Sequence, residues 1–287
     1  MPKKSASKRK PKYAVYVSDT HCGCGLALCP EQAHLDDGGT YHASKLQKKI
    51  KSMWDEFWGK FVPEATHGEP YVVVHNGDAI DGVHHNSVTQ ITNNLAVQGD
   101  IAYEILKPIV ELCEGRYYHI RGTEAHVGKS GQEEERLAKR LGAIPNDEKQ
   151  FARYDLWLRL GGALVHSLHH VGTTGSQAYE ATAVHKELTE HFIEAARWHD
   201  EPPALIVRSH RHRCIKITIP TATTIAQAVV TPAWQSKTPF AWKIPGARLA
   251  TPQFGGVVVS WVPQGASGFV FTREKVWTVE RSRTEEC

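Results

Sequence analysis

At 287 residues, with 41% hydrophobic and 23% charged residues, the sequence has the length and balance of a globular protein with a sizeable core. Six irregularly spaced cysteines exclude a disulfide framework. The formal net charge of +3 is unevenly placed: residues 1–12 hold Lys3, Lys4, Lys8, Arg9, Lys10 and Lys12 with no acid, which leaves about −3 for the rest.

Taken in chain order, residues 1–12 read as a basic, disordered tail ahead of a single domain over 13–287. Such a tail either touches nucleic acid through phosphate contacts or only solubilises the chain. No apolar signal-peptide core follows it and no run of 18 apolar residues occurs, so the expectation is a soluble, cytoplasmic protein. Tyr13–Val17 is a strand-type apolar run ending at Ser18-Asp19, and residues 22–42 read as a long polar loop. Ala43, Leu46, Ile50, Met53, Trp54, Phe57, Trp58 and Phe61 recur at helical spacing, which predicts an amphipathic helix over 43–61.

Tyr71–Val74 is the next strand. Residues 95–113 read as a helix that Pro108 kinks or divides. Tyr117–Ile120 is a third strand, and Glu133–Leu141 a short helix stopped by Gly142. Gly161-Gly162 between two apolar runs predicts a β-hairpin, and helix 176–198 follows. Strand Leu205–Val207 and the strand-rich remainder, 214–280, complete the pattern. The first half alternates strand and helix and the second reads as mainly antiparallel strands. That predicts an α/β (α+β) four-layer sandwich of two mixed β-sheets flanked by helices.

Clusters of Asp and His stand at the ends of these strands, and 17 histidines are an unusual number. The clusters are Asp19-Thr20-His21, Gly77-Asp78-Ala79-Ile80-Asp81-Gly82, Gly122-Thr123-Glu124-Ala125-His126, His166-Ser167-Leu168-His169-His170 and Ser209-His210-Arg211-His212. Carboxylates and imidazoles are what divalent metals of hard-to-borderline character need, and strand ends are where a sheet brings distant segments together. Asp-x-His has a chance expectation of about 0.6 in this composition and His-x-His about one, so neither carries weight alone. The Gly-Asp-x-x-Asp-Gly pattern has a chance expectation of about 0.002 and carries most of it. Its glycines permit a sharp turn after the strand.

Some motifs lead elsewhere. Gly122 to Gly128-Lys129-Ser130 resembles a phosphate-binding loop, but five residues separate the glycines where that motif has four. Cys22, Cys24, Cys29 and His34 could be read as a zinc site, at spacings unlike the usual zinc fingers.

Taken together and in this order, the five clusters resemble the calcineurin-like metallophosphoesterase superfamily over residues 15–213. The order there is Asp-x-His, Gly-Asp-x-x-Asp, Gly-Asn-His-Asp/Glu, a strand-end His, and Gly-His-x-His. The 22–42 loop and the helix carrying Trp54 and Trp58 resemble phage-borne members, which would place the protein in a bacterial host's cytoplasm. Two departures stand out: Ser209 replaces a Gly, and the third motif lacks its Asn, with Glu124 or Thr123 as the replacement ligand.

The resemblance implies two divalent ions, with Mn favoured among Mn, Fe, Zn, Co and Ni. Asp19, His21 and His212 would bind the first, and Asp78 would bridge the two. Glu124, His169 or His170, and His210 would bind the second. A hydroxide bridging metals about 3.5–4 Å apart would attack phosphorus in line. His126 would act as the general acid, and Arg211 and Arg213 would hold an anionic substrate. The implied enzyme is a hydrolase of phosphomonoesters or phosphodiesters. The alternatives are a metal-dependent nuclease acting on DNA or RNA, and a non-enzymatic, zinc-stabilised nucleic-acid-binding protein using Cys22, Cys24, Cys29 and the basic arm. The stretch Pro232–Pro245, with Trp234, reads as either a lid or a packing arm.

Overall fold

The computed structural model describes residues 11–84, 86–172, 176–222, 224–244, 246–264 and 267–279. Lys3, Lys4, Lys8, Arg9 and Lys10 of the basic tail lie outside them, as does Pro245.

β1 (Tyr13–Val17) leads into a loop that carries a small antiparallel hairpin, β2 (Gln32–His34) and β3 (Thr40–His42), where the sequence suggested only loop. Ser44 then caps α1 (Lys45–Glu56): its side chain accepts from the Gln47 N–H, and the Gln47 side chain accepts from the Ser44 N–H. A wider turn over Phe57–Phe61 joins it to α2 (Val62–Thr66). β4 (Tyr71–Asn76), α3 (Leu95–Leu112) and β5 (Tyr117–Ile120) follow, and α3 runs through Pro108 instead of ending there. After these come α4 (Glu124–Val127), α5 (Gln132–Leu141) and β6 (Ala152–Arg153). β7 (Asp155–Leu160) and β8 (Ala163–Leu168) form the expected hairpin. α6 (Glu180–Trp198), β9 (Leu205–Arg208), β10 (Ile215–Pro220), β11 (Ile225–Val230), β12 (Gln253–Gln264) and β13 (Ser267–Thr278) complete the chain.

One six-stranded sheet has the order β13-β12-β1-β4-β5-β6, and a five-stranded sheet the order β10-β11-β9-β8-β7. In the first, β1, β4, β5 and β6 are parallel, and the long β12–β13 hairpin adds antiparallel strands at one side. In the second, β8, β9 and β11 are parallel and only the outer pairs run antiparallel. The second half is therefore mainly antiparallel, as read from the sequence, but with a parallel β8-β9-β11 centre not foreseen there. Apolar runs such as Leu205–Val207 are buried on both faces, and periodicity alone does not set their direction.

The two-residue period of the strands sorts their side chains into layers. Ala14, Tyr16, Val72 and Val74 face the second sheet, where they meet Leu160, Val165, Leu205, Val207 and Val229. Val15, Val17 and Val73 face the other way, onto Ile50 and Trp54 of α1, Ile101 and Ile105 of α3, and Leu137 of α5. On the outer side of the second sheet, Ile206, Ala226 and Ala228 pack on Val184 and Leu188 of α6. The result is the predicted four-layer sandwich of two mixed sheets flanked by helices. It aligns the carboxyl ends of β1, β4, β5, β8 and β9.

Candidate metal centre

At that shared edge, the segment after β1 and the segment after β4 stay laced together beyond the strands. The N–H groups of Asp19, His21 and Cys22 donate to the carbonyls of Gly77, Asp78 and Ala79, and the Asp81 N–H donates back to Cys22. Gly77 has φ +89°, and a Cβ there would collide with the His169 ring; a Cβ on Gly122 would collide with Asp78. These two positions let the strand-end loops close on one another.

Three groups of potential ligands lie within reach of one another: Asp19, His21 and His212; Asp78, His169 and His210; and His21, Asp81 and His126. Asp19 Oδ1 is 3.2 Å from His212 Nε2, 3.9 Å from His21 Nε2 and 4.0 Å from His169 Nε2. His169 Nε2 is 3.0 Å from Asp78 Oδ2, which links the first two groups. The two Nε2 atoms of His21 and His212 are 3.1 Å apart. Asp19, His21, Asp78 and His169 are buried.

The backbone is bent to make this convergence. Asp19, His21, Asp78, His210 and His212 all have positive φ, half of the ten non-glycine residues that do so among the described residues. For L residues this left-handed geometry is uncommon and costs free energy, so its concentration here marks a site over which the surrounding structure has control.

The donor set fits a cation. His169 Nδ1 lies 2.7 Å from the Asn76 carbonyl, so Nδ1 carries a proton and Nε2 is the nitrogen turned inward, where a cation would displace any proton on it. His169 Nε2 and Asp19 Oδ1 are buried and make no hydrogen bond of good geometry among the described residues, although Asp78 Oδ2 and His212 Nε2 stand 3.0 and 3.2 Å from them. A buried polar atom without a partner is costly, and a shared cation would satisfy both at once. The charges agree. Burial raises the carboxyls of Asp19 and Asp78, but the imidazoles of His212 and His169 beside them outweigh it and hold both well below the usual carboxylate range. Burial lowers His169, yet Asp78 and Asp19 outweigh it and lift its imidazole to about 10. The site as a whole therefore demands positive charge.

His210 is pushed down to about 3, first by burial and then by His169, so it stands neutral with lone pairs available. His126 is pushed down to about 4 by burial against the pull of Asp78. Its Nδ1 is 2.6 Å from the Asp81 carbonyl, which leaves Nε2 turned to the centre, 3.9 Å from Asp78 Oδ2.

The third motif resolves differently from the Glu124 reading. Glu124 opens α4 with an exposed side chain and joins none of the three ligand groups. Thr123 stands in the site instead. Its N–H donates to Asp78 Oδ1 (2.6 Å), and its hydroxyl lies 3.2 Å from Asp78 Oδ2 and 3.1 Å from His210 Nδ1. As the cap residue before α4, Thr123 keeps extended backbone, while Glu124 begins the helix and turns outward. Of the His pair, His169 is buried inside, and His170 is exposed, edge-on to His169 at 5.2 Å.

Arg211 and Arg213 line the adjoining cavity, and both are held by the protein's own groups. Arg211 donates to the Gly172 carbonyl, and Arg213 pairs with Glu180 at 2.8 Å. His166 belongs to a separate group: it stacks on Trp157 and sits 3.0 Å from His191 and 3.3 Å from Arg208.

The zinc-finger reading fails on the thiols. Cys22, Cys24 and Cys29 are buried, and no cysteine joins a ligand group among the described residues. Burial raises all three thiols, to about 11 for Cys24 and about 12 for Cys29, which disfavours the thiolate that zinc needs.

Glu134 escaped the sequence reading, which also gave Asp81 and Ser209 no role of their own. Glu134 of α5 is fully buried and accepts from the N–H groups of Ala79 (2.7 Å) and Gly122 (2.6 Å), clamping the loops after β4 and β5 together. Asp81 accepts from Gln235 (2.9 Å) and Gln90 (2.8 Å) and faces His21 Nδ1 at 3.4 Å. Ser209, where the resemblance has Gly, is not a neutral swap. Its hydroxyl accepts from Asn76 (2.6 Å) and meets Thr231 (2.7 Å), which meets Ser18 (2.7 Å), which donates to Asp19. Trp234 turns out to be a packing arm: its ring is buried against Trp54 and Phe57, and its backbone N–H donates to the Asp19 carbonyl.

No protein-family model matches the sequence, and no curated protein is similar to it. Solved structures with a distant likeness include Vps29 of Chaetomium thermophilum, at 10% identity over 93% of this chain and 98% of that one, TM-score 0.37. Another is the sulfate thiohydrolase SoxB of Thermus thermophilus, at 12% identity over 96% of this chain and 58% of that one, TM-score 0.41. The 5'-nucleotidase from Candida albicans matches at 8% identity over 93% of this chain and 52% of that one, TM-score 0.31. Likeness this distant says nothing of what the chain does, and it lends no support to a tie with phage-borne proteins. Among the described residues, no helix is long and apolar enough to cross a membrane.

Proposed function

We propose that the chain is a phosphoesterase that works with two divalent metal ions. The observation that carries the proposal is the convergence of the buried atoms Asp19 Oδ1 and His169 Nε2, 4.0 Å apart, on further candidate ligands, His212 Nε2 at 3.2 Å from the first and Asp78 Oδ2 at 3.0 Å from the second. Asp19, His21 and His212 would hold one ion, Asp78, His169 and His210 the other, with Asp78 between them. Thr123, not Glu124, would complete the second set. When bound, such ions supply Lewis acidity toward the phosphoryl oxygens and toward water.

The chain's own residues supply the rest. The His169 Nδ1–H bond to Asn76 fixes that ring and its tautomer, and the Asp81 carboxylate faces His21 Nδ1 at 3.4 Å. His126 faces the reacting centre through Nε2 while Nδ1 is held by the Asp81 carbonyl. It stands neutral near pH 7 in the free protein. A phosphoryl group brought beside it raises its proton affinity, so His126 would meet substrate as a hydrogen-bond partner of the leaving oxygen.

The experiment is hydrolysis of mono- and bis-p-nitrophenyl phosphate by the full chain with added manganese and measured metal content. Turnover of either, abolished in Asp78→Asn while the folded state persists, is the expected result. No turnover of both esters with metal shown to be bound would end the proposal.

A further inference from the structure

A cavity of about 280 Å³ opens directly from the candidate metal centre. Its inner end is formed by His21, Asp78, Thr123, His126, His210 and His212. Its outer wall has a different chemistry: Ile215, Phe240, Ala241, Ile244, Ala247 and Ala250 present mainly carbon. Apart from Ile215, which opens β10, the wall comes from the segment between β11 and β12, which no metal-binding motif includes. The segment is held in place from several sides. Ser236 N–H donates to the Leu26 carbonyl, Gln177 Nε2 to the Gly246 carbonyl (3.1 Å), and Lys237 Nζ to the carbonyls of Arg248 and Ala250.

The three Arg and Lys side chains around the cavity are held by the protein's own groups, though among the described residues only Arg213 by an acid. Arg213 is paired with Glu180, Arg211 donates to Gly172, and Lys237 lies 3.6 Å from the Trp242 ring centroid while bonding its own segment. A polynucleotide leaving the centre would need a charged groove to track its further phosphates. This cavity offers one polar, metal-ligating end and one apolar end. Its volume is nearly twice that of the roughly 150 Å³ apolar cavity that admits a benzene ring.

Resting on the phosphoesterase reading, we infer that the substrate is a small organic phosphoester with an apolar, ring-sized substituent, seated against Phe240, Ile244 and Ala247 while the phosphoryl group occupies the metal end. Phe240, Ile244 and Ala247 thereby set specificity.

The test uses two non-hydrolysable ligands with the same head group, phenylphosphonate and methylphosphonate, as competitive inhibitors of p-nitrophenyl phosphate hydrolysis by the manganese-loaded chain. Phenylphosphonate is expected to inhibit about ten- to a hundredfold more tightly, the value of burying one ring. Ile244→Asp, which makes the wall polar, and Ala247→Trp, which fills the chamber, should each bring that ratio toward one. Equal inhibition by both ligands, or the wild-type ratio kept in both variants, would overturn the inference. So would cleavage of a labelled oligonucleotide at higher kcat/KM than any aryl ester. Those results leave the phosphoesterase proposal standing, whereas loss of all ester turnover with metal bound strikes that proposal itself.

Discussion

Glu134 gives the most demanding prediction, because no metal-binding motif contains it. Its carboxylate is fully buried and accepts two backbone N–H groups, from Ala79 and Gly122, at 2.7 and 2.6 Å. Those residues adjoin Asp78 and Thr123, so the clamp sets the distance between two sides of the centre. Glu134→Ala removes both acceptors and strands both donors. Hydrogen bonds to a charged group contribute roughly 1.5–3 kcal/mol each, so the loss of two is about 3–6 kcal/mol. For a chain of this size that is a fall of roughly 10 °C in Tm. Glu134→Gln keeps the volume but has a single accepting oxygen, so about half the loss is expected. The assay is thermal unfolding of the full chain with and without manganese, together with manganese titration. Loss of the clamp should also weaken metal binding by about tenfold or more, as for other contacts that orient ligands. A Glu134→Ala protein within about 2 °C of wild type, with unchanged metal affinity, would refute the positioning role.

Other outcomes follow from the same geometry. His169→Ala should lower metal content sharply, by more than the roughly tenfold that a supporting contact costs, while His170→Ala leaves metal content near wild type; the reverse pattern in metal analysis would reassign the ligand. Ser209→Ala breaks the chain from Asn76 through Thr231 and Ser18 to Asp19, and should cost about 1–2 kcal/mol in denaturant unfolding; no loss would mean that the hydroxyl is dispensable. Away from the metal centre, burial and the neighbouring Arg208 and His191 push His166 down to about 3. The unfolded chain takes up that proton near pH 6.5, so the contribution is complete above about 6.5 and fades as pH falls toward 3. Between pH 6.5 and 5 the loss is at most about 2 kcal/mol, and His166→Gln should flatten the fall in Tm over that interval. An equally steep fall in the variant would contradict the assignment.

Much of this architecture is legible in the chain because strand ends and ligand motifs coincide. Val17 precedes Asp19, Asn76 precedes Asp78, and Arg208 precedes His210, so finding the strand also finds the ligand. The choice between neighbours is less legible. Glu124 has the better ligand chemistry, but Thr123 is the last extended residue before a helix turns Glu124 outward. Adjacent residues on either side of such a cap face opposite ways, and composition does not say where the cap falls. The direction of β8, β9 and β11 is hidden for a related reason, since runs buried on both faces carry no alternation to read. Glu134 and the wall around Ile244 act only through tertiary contact, and no local spacing announces either.

The most direct test of the metal centre is anomalous diffraction from crystals of the manganese-loaded chain. Two peaks are expected, one among Asp19, His21 and His212 and one among Asp78, His169 and His210, with Asp78 in reach of both. Peaks at the cysteines, or none at the carboxyl ends of β1, β4, β8 and β9, would contradict the account.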